Sequence, residues 1–385
     1  MTVLLGHELT EFDACGAGHT AAEIAQQPDL WLEIAASAGA FGDSEGGFLR
    51  SVLQRAGLRI LLTGAGSSAF AGQVLAPVLA RRLRRRVEAI STTAIVASPR
   101  EALAEDVPTL LVSFARSGDS PESVAAIELA EQCLSECFHV IVTCNHDGRL
   151  VHGRAADDRT RVLLLPAAAN DRGFAMTSSF TGMVLAGRMI LDDGFDEHAV
   201  RRLADAARRV LDERTAEIAE IAARGYSRVV CLGSGALRGL AAESALKVLE
   251  LTAGGVVATS ESALGFRHGP KAVLDGRTLA LVYVSNDPYT RRYDRDILTE
   301  LRHSISAEDL VAVAAGDVDP AAGETVWPLA GLREVDDGAL ALPAVLHAQL
   351  IALSLSMRMG LTPDNPFPTG EVNRVVEGVT IHPLS

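Results

Sequence analysis

Two apolar runs, each ending in a glycine-rich loop, recur at nearly one spacing, and this repeat limits the folds open to the chain. Arg59-Ile60-Leu61-Leu62 leads into Thr63-Gly64-Ala65-Gly66-Ser67-Ser68. Arg228-Val229-Val230-Cys231-Leu232 leads into Gly233-Ser234-Gly235-Ala236, and Gly233 lies 169 residues after Gly64. A second pair behaves alike. Residues 109–114 run into Ala115-Arg116-Ser117-Gly118-Asp119-Ser120, and residues 279–284 into Ser285-Asn286-Asp287, with Ser285 168 residues after Ser117. Short apolar runs alternating with helical stretches (69–81 and 124–134 in the first copy) read as parallel strands with helices on both faces. Residues 94–96, 139–143 and 161–165 are further strand candidates. The sequence therefore predicts an α/β protein built from two copies of one unit. A charge-rich stretch near 196–225, poor in glycine and proline, predicts a helical connection.

The 385 residues suit two domains. The formal charge of −14 disfavours nucleic acid, which needs a basic footprint. It does not exclude a small phosphorylated ligand, which responds to the local field. Five cysteines (Cys15, Cys133, Cys137, Cys144, Cys231) are too few and too scattered for a disulfide framework and fit a reducing compartment. The acidic N-terminal stretch lacks the basic start and apolar run of a signal peptide, so a cytoplasmic protein is expected. Residues 338–357 carry no Asp, Glu, Lys or Arg but include Pro343, His347 and Gln349. They are expected to form a buried helix, able also to pack at a subunit interface, rather than a membrane span.

Ligands of open parallel sheets bind beyond the carboxyl ends of the strands. Gly66, Ser67 and Ser68 offer backbone N–H groups, hydroxyls and a helix N-terminus there; Ser117 and Ser120 offer the same, and Arg116 adds a guanidinium. Such donors suit a phosphate dianion. Each loop alone also reads as an ordinary strand-to-helix turn with a serine cap. Gly64-x-Gly66-x-x-Ala69 fits a loose dinucleotide fingerprint, but its expected acid, Glu88, falls at the start of an apolar segment rather than at a strand end. In the second copy Glu243, Lys247 and Glu250, spaced i, i+4, i+7, share one helix face next to the glycine loop. They read either as proton-transfer groups with a cation beside them or as a solvated charge stripe. His268 stands in the stiff turn Gly265-Phe266-Arg267-His268-Gly269-Pro270-Lys271, as an acid–base group or as a surface residue. Cys137, His139, Cys144 and His146 fall within ten residues without a tight Cys-x-x-Cys, so no metal is expected.

The TGAGSSAF and SFARSGDSPES loops, the NDRGFAMTSSFT segment, the ESALKVLELTAG and GFRHGPK stretches and the C-terminal TPDNP and VNRVVEGVTIHP together resemble the sugar isomerase (SIS) superfamily. More narrowly they resemble the galactosamine-6-phosphate deaminase/isomerase family, also labelled tagatose-6-phosphate ketose/aldose isomerase. The resemblance spans nearly the whole chain. It implies two tandem flavodoxin-like domains, each a five-stranded parallel sheet flanked by helices. The expected division is a helical extension (1–45), a first SIS domain (46–200), a second (215–372) and a tail (373–385). It implies phosphate binding by Ser67, Ser68, Ser117 and Ser120 beside Gly66. Arg116 stands where the related glucosamine-6-phosphate synthase has Gln. It implies proton transfer between sugar carbons by Glu250, with Lys247 and Glu243 on the same helix. It implies sugar contacts along 171–177, Asp171 and Thr177 included. It implies ring opening by His268 from a neighbouring subunit, hence a homodimer with a shared site. The synthase's tail lysine has no counterpart between Asn373 and His382, so Schiff-base attachment at the tail and synthase activity are not expected. The expected ligand is a sugar phosphate, with no cofactor and no metal. The expected reaction is deamination of galactosamine 6-phosphate to tagatose 6-phosphate. The alternatives are plain ketose/aldose phosphate isomerisation, glucosamine-6-phosphate deamination and, with least support, a non-catalytic sugar-phosphate sensor.

Overall fold

The computed structural model describes every residue except 1, 2, 6, 153, 155, 156, 317, 319–324, 377 and 385, so parts of the N-terminal extension and of the tail lie outside the described residues. The chain divides into two units. One gathers 30–170, 178–197 and 370–385 and is called the first unit; the second gathers 1–29, 171–177 and 198–369.

The first unit is built on β1 (Arg59–Thr63), β2 (Arg86–Ala89), β3 (Thr109–Ala115), β4 (Cys137–Thr143) and β5 (Thr160–Leu164), with helices α1 (Ser67–Leu83), α2 (Pro121–Cys133) and α3 (Ser178–Leu191). Every residue of β1, β3 and β4 is buried, as expected of strands covered on both faces. The strand order is β2-β1-β3-β4-β5 and all pairings are parallel. That is the flavodoxin-like order, in which the winding direction reverses between β1 and β3. Helix α3 lies close against this core: a Cβ on Gly187 would meet Leu75 and Phe114 at 2.8–3.0 Å. The tail returns to this unit, where Ile381 and Leu384 pack on the cluster around Ile95, Leu111 and Ile127.

The second unit repeats the plan with α4 (Glu197–Ala222), β6 (Arg228–Gly233), α5 (Ala236–Leu251), β7 (Val257–Glu261), β8 (Thr278–Val284), α6 (Thr290–Leu301), β9 (Leu310–Ala314), β10 (Thr325–Pro328) and α7 (Asp337–Arg358). Its order, β10-β9-β8-β6-β7, is the same topology read from the other edge, again all parallel. Arg59 and Arg228 open the first strands, and Thr109 and Thr278 the third, at one common offset of 169 residues. The glycine loops match in backbone angles too: Gly66 has φ 54°, ψ −128° and Gly235 has φ 58°, ψ −125°. Only glycine adopts this region cheaply. The expected α/β class with two five-stranded parallel sheets is what the chain adopts.

Two sequence expectations need correction. Residues 94–96, read as a strand, lie in the helix Thr92–Ala97, because Ser91 Oγ caps it by accepting from Ala94 N at 3.1 Å. Three apolar residues do not distinguish strand from helix by period. The second strand is β2, and Glu88 therefore sits one residue from its end rather than at the start of an apolar segment. The positional argument against a dinucleotide site thus fails. Glu88 is instead paired with Arg86 at 2.9 Å, and the strand order is the flavodoxin-like one.

The charge-free stretch at 338–357 is α7, capped by Asp336 Oδ1 accepting from Ala339 N at 3.1 Å. Its most apolar window is 94% buried, and it packs on α5 within the second unit. Inside it, His347 stacks on Trp327 with ring centroids 5.0 Å apart. Burial pushes the His347 imidazole down to about 4. A group protonated more readily when unfolded contributes stability above pH 6.5 that is lost as pH falls toward 4. His347→Phe keeps the stack and removes the titration. It should therefore flatten the fall in unfolding free energy between pH 6.5 and 4 by up to about 3 kcal/mol. Urea unfolding at several pH values reads this, and an unchanged acid limb would contradict it.

Candidate active site

The carboxyl ends of β1 and β3 are neighbours, so the loops that follow them share one edge of the first sheet at the point where the winding reverses. Gly66 begins α1 without a side-chain cap, and no acid stands in the helix's first turn. Ser67 and Ser68 are its first two residues, both buried, with Ser68 Oγ 3.5 Å from Met183 Sδ. A Cβ on Gly64 would lie 2.6–2.8 Å from Ser68, so glycine is required where the loop doubles back. After β3, Gly118 has φ 68°, and Ser117 Oγ accepts from Asp119 N at 3.2 Å. Asn145 Nδ2 donates to Ser117 O at 2.7 Å, bracing the loop. Ser120 precedes Pro121 at the start of α2, its hydroxyl 2.6 Å from Ser123 Oγ. Buried Arg116 donates from Nη2 to the Arg374 carbonyl at 2.9 Å, an acceptor supplied by the tail. All six expected anion-binding residues therefore gather at one sheet edge, with helix N-termini and a guanidinium supplying positive potential.

The corresponding loops of the second unit are closed by the chain's own anions. Ser234 Oγ donates to Asp294 Oδ1 at 2.6 Å, and Ser285 N donates to Asp294 Oδ2 at 2.9 Å. Ser285 Oγ and Asn286 N donate to Asp337 at 2.6 and 2.7 Å. Burial pushes the Asp294 carboxyl up to about 6. The same loop geometry thus carries carboxylates in one copy. In the other, Ser68, Ser117 and Ser120 donate to no carboxylate among the described residues. Sequence reasoning did not find this asymmetry. Its signal was two acids, nine and 52 residues after Ser285, that the first copy does not repeat.

Helix α5 carries Glu243, Lys247 and Glu250 in one row. Glu243 and Lys247 are fully buried, which rules out a solvated stripe for them. Lys247 Nζ lies 2.5 Å from Glu250 Oε2 and 3.4 Å from Glu243 Oε1. Glu250 is the member that reaches the surface, with 24% of its side chain exposed. Behind the row Tyr283 OH meets Ser244 Oγ at 2.6 Å, and burial raises the phenol well above its ordinary value. One ammonium shared by two carboxylates fixes the Glu250 rotamer and leaves a carboxylate at the surface as a proton acceptor. The lysine is committed to these ion pairs, which leaves it unsuited to serve as a nucleophile.

His268 follows the turn Gly265–Arg267 and precedes Gly269, at φ 119°; its side chain is exposed, and no described hydrogen bond joins it to the α5 row. Asp171 and Thr177 are fully buried and bound to each other: Asp171 accepts from Thr177 N at 2.9 Å and from Thr177 Oγ1 at 3.1 Å. They brace the residue before α3 rather than face solvent. Cys137 and His139 are buried in β4, whereas His146 is exposed beside Asp147. Two further residues escaped the sequence reading, Glu23 and Asp364, whose carboxylates hold the same 171–177 segment and the start of the helix Gly18–Ala25.

The two parallel α/β units and their loops define a doubly wound class of domain, and a family model described as the SIS domain matches residues 52–191. A Streptomyces coelicolor protein bearing the AgaS name is 58% identical over 371 residues, 96% of each chain. The D-galactosamine-6-phosphate deaminase AgaS of Shewanella sp. (strain ANA-3) is 42% identical over 99% of this chain and 95% of its own. The crystal structure of tagatose-6-phosphate ketose/aldose isomerase from Escherichia coli matches with a TM-score of 0.88 at 41% identity, covering 95% of this chain and 96% of that one. The chain belongs to the SIS superfamily and, within it, to the AgaS family.

Removing the cation of a buried cluster takes away the ion pair that each carboxylate makes with it. Lys247→Met should therefore lower the unfolding free energy by about 3–5 kcal/mol. A loss below ~1 kcal/mol in urea unfolding would show that Lys247 does not hold the row together.

Proposed function

We propose that this chain is a deaminating aldose–ketose isomerase that converts galactosamine 6-phosphate and water to tagatose 6-phosphate and ammonia. The observation that carries the reading is Glu250, held at the surface end of α5 by a buried lysine, in a chain related along its whole length to AgaS deaminases.

In this reading the phosphate is held by Ser67, Ser68, Ser117 and Ser120 at the α1 terminus. The segment 171–177, braced at its ends by the buried Asp171–Thr177 pair, presents its intervening residues to the sugar, and His268 of a neighbouring copy in a homodimer assists ring opening. In the open chain the C2 proton is acidified by the adjacent C1 carbonyl. Glu250 removes it, the electrons form an enolamine, and Glu250 returns a proton to C1. The double bond then lies between C2 and nitrogen as an imine. Water adds at C2 and ammonia leaves, giving the ketone. Carbon is reduced at C1 and oxidised at C2, so the internal redox balances without an outside electron acceptor. Lys247 keeps positive charge beside the carboxylate that carries the proton. The sensor alternative has least support, because binding alone requires neither the buried row nor its surface carboxylate. Plain isomerisation uses the same Glu250, and the name of the Escherichia coli structure keeps it as the second reading.

A coupled ammonia assay with galactosamine, glucosamine and tagatose 6-phosphates should show ammonia release highest from the first. Isomerisation of tagatose 6-phosphate with no ammonia from either amino sugar would favour the second reading. Glu250→Gln should lower kcat by about 10²–10⁴-fold. Turnover within a few-fold of the parent would remove Glu250 from the mechanism.

A further inference from the structure

Residues 171–177 join the second unit although the residues on both sides of them belong to the first. Something must hold so short a segment in place, and the bonds converge on one side chain. Glu23 lies on the helix Gly18–Ala25, 7% exposed, and its carboxyl accepts from the N–H of Arg172 and, at 3.2–3.3 Å, from that of Gly173. The approach is close enough that a Cβ on Gly173 would lie 2.8 Å from Thr20 Oγ1 and 3.0 Å from Glu23 Oε2. The next residue is pinned as well: Phe174 N donates to Asp364 O at 3.1 Å, and its ring lies 5.1 Å from that of Phe367. Asp364 in turn accepts at its carboxylate from His19 N, Thr20 N and Thr20 Oγ1 at 2.7–3.0 Å, which anchors the helix that carries Glu23.

We propose that Glu23 is a positioning residue that holds the backbone of residues 171–177 in the conformation that receives the sugar. The inference rests on the functional reading above, in which that segment contacts substrate. Backbone N–H groups 172 and 173 have their acceptor in Glu23, so losing it frees two backbone donors, the Gly173 one buried and the Arg172 one partly buried, and loosens the loop. The charged groups facing Glu23 are Asp171 and Asp364. Burial, then Asp171, pushes the carboxyl up to about 8, Asp364 acts the same way, and the two N–H groups pull it down. At pH 6.5 Glu23 is therefore a neutral acid, and glutamine is its isostere. The held conformation keeps a proton that a released Glu23, at its ordinary value of 4.5, would give up, so the segment loses support as pH rises from 4.5 toward 8 and no further above it.

The test compares the parent, Glu23→Ala and Glu23→Gln. At pH 6.5 Glu23→Ala should raise KM for galactosamine 6-phosphate at least about tenfold with kcat within roughly threefold, and Glu23→Gln should restore the parent KM. Between pH 6.5 and 8 the parent KM should rise and then level off, while that of Glu23→Gln stays flat. This arm needs only the glutamine variant, should the alanine variant fail to fold. Hydrogen exchange of a peptide spanning 170–177 should be faster in Glu23→Ala than in Glu23→Gln at pH 6.5. A Glu23→Ala protein with the parent's KM and exchange overturns the proposal, as does a Glu23→Gln protein whose KM follows the parent's rise between pH 6.5 and 8. If the parent releases no ammonia and isomerises no sugar phosphate, the functional reading falls instead. Exchange at 170–177 then decides by itself whether Glu23 holds the segment.

Discussion

A single ammonium buried between two carboxylates sets what the second unit can do. Losing Lys247 would strip the buried Glu243 of an ion pair at 3.4 Å and Glu250 of one at 2.5 Å, so one cation holds both carboxylates of the α5 row in place. Rigidity is the useful property. A base that moves a proton between adjacent carbons must reach both with little reorganisation, and a carboxylate whose rotamer is held by an ion pair has little freedom left to lose.

The two units share one plan and differ in how their loops are bonded. Both carry the same strand order and the same glycine conformation at the first loop. In the second unit Asp294 and Asp337 take up the donors that a ligand anion would otherwise use. The first keeps hydroxyls and a guanidinium at the corresponding edge. The protein's negative net charge does not bear on this, because the field at a helix terminus is local.

The sheets were legible because buried parallel strands are nearly uninterrupted apolar runs, and a repeat at one offset makes each copy evidence for the other. Short elements were not. Residues 94–96 are helical because of a serine cap that outweighs three apolar side chains, and β2 is carried by Arg86 and Glu88, which do not look like a buried strand. At the site, spacing alone put Glu243, Lys247 and Glu250 on one face. Only coordinates distinguish a buried cluster from a solvated stripe. Glu23 and Asp364 were invisible for a different reason. They act on segments about 150 and 345 residues away, and no local pattern encodes such a contact.

The most direct test follows the hydrogen itself. Galactosamine 6-phosphate deuterated at C2 should lose its label from C2 as ammonia is released, with a rate slowed by a primary isotope effect. Part of the deuterium should reappear at C1 of the ketose, carried there by one carboxylate on α5. Ammonia released with the deuterium still bound at C2 would contradict the account.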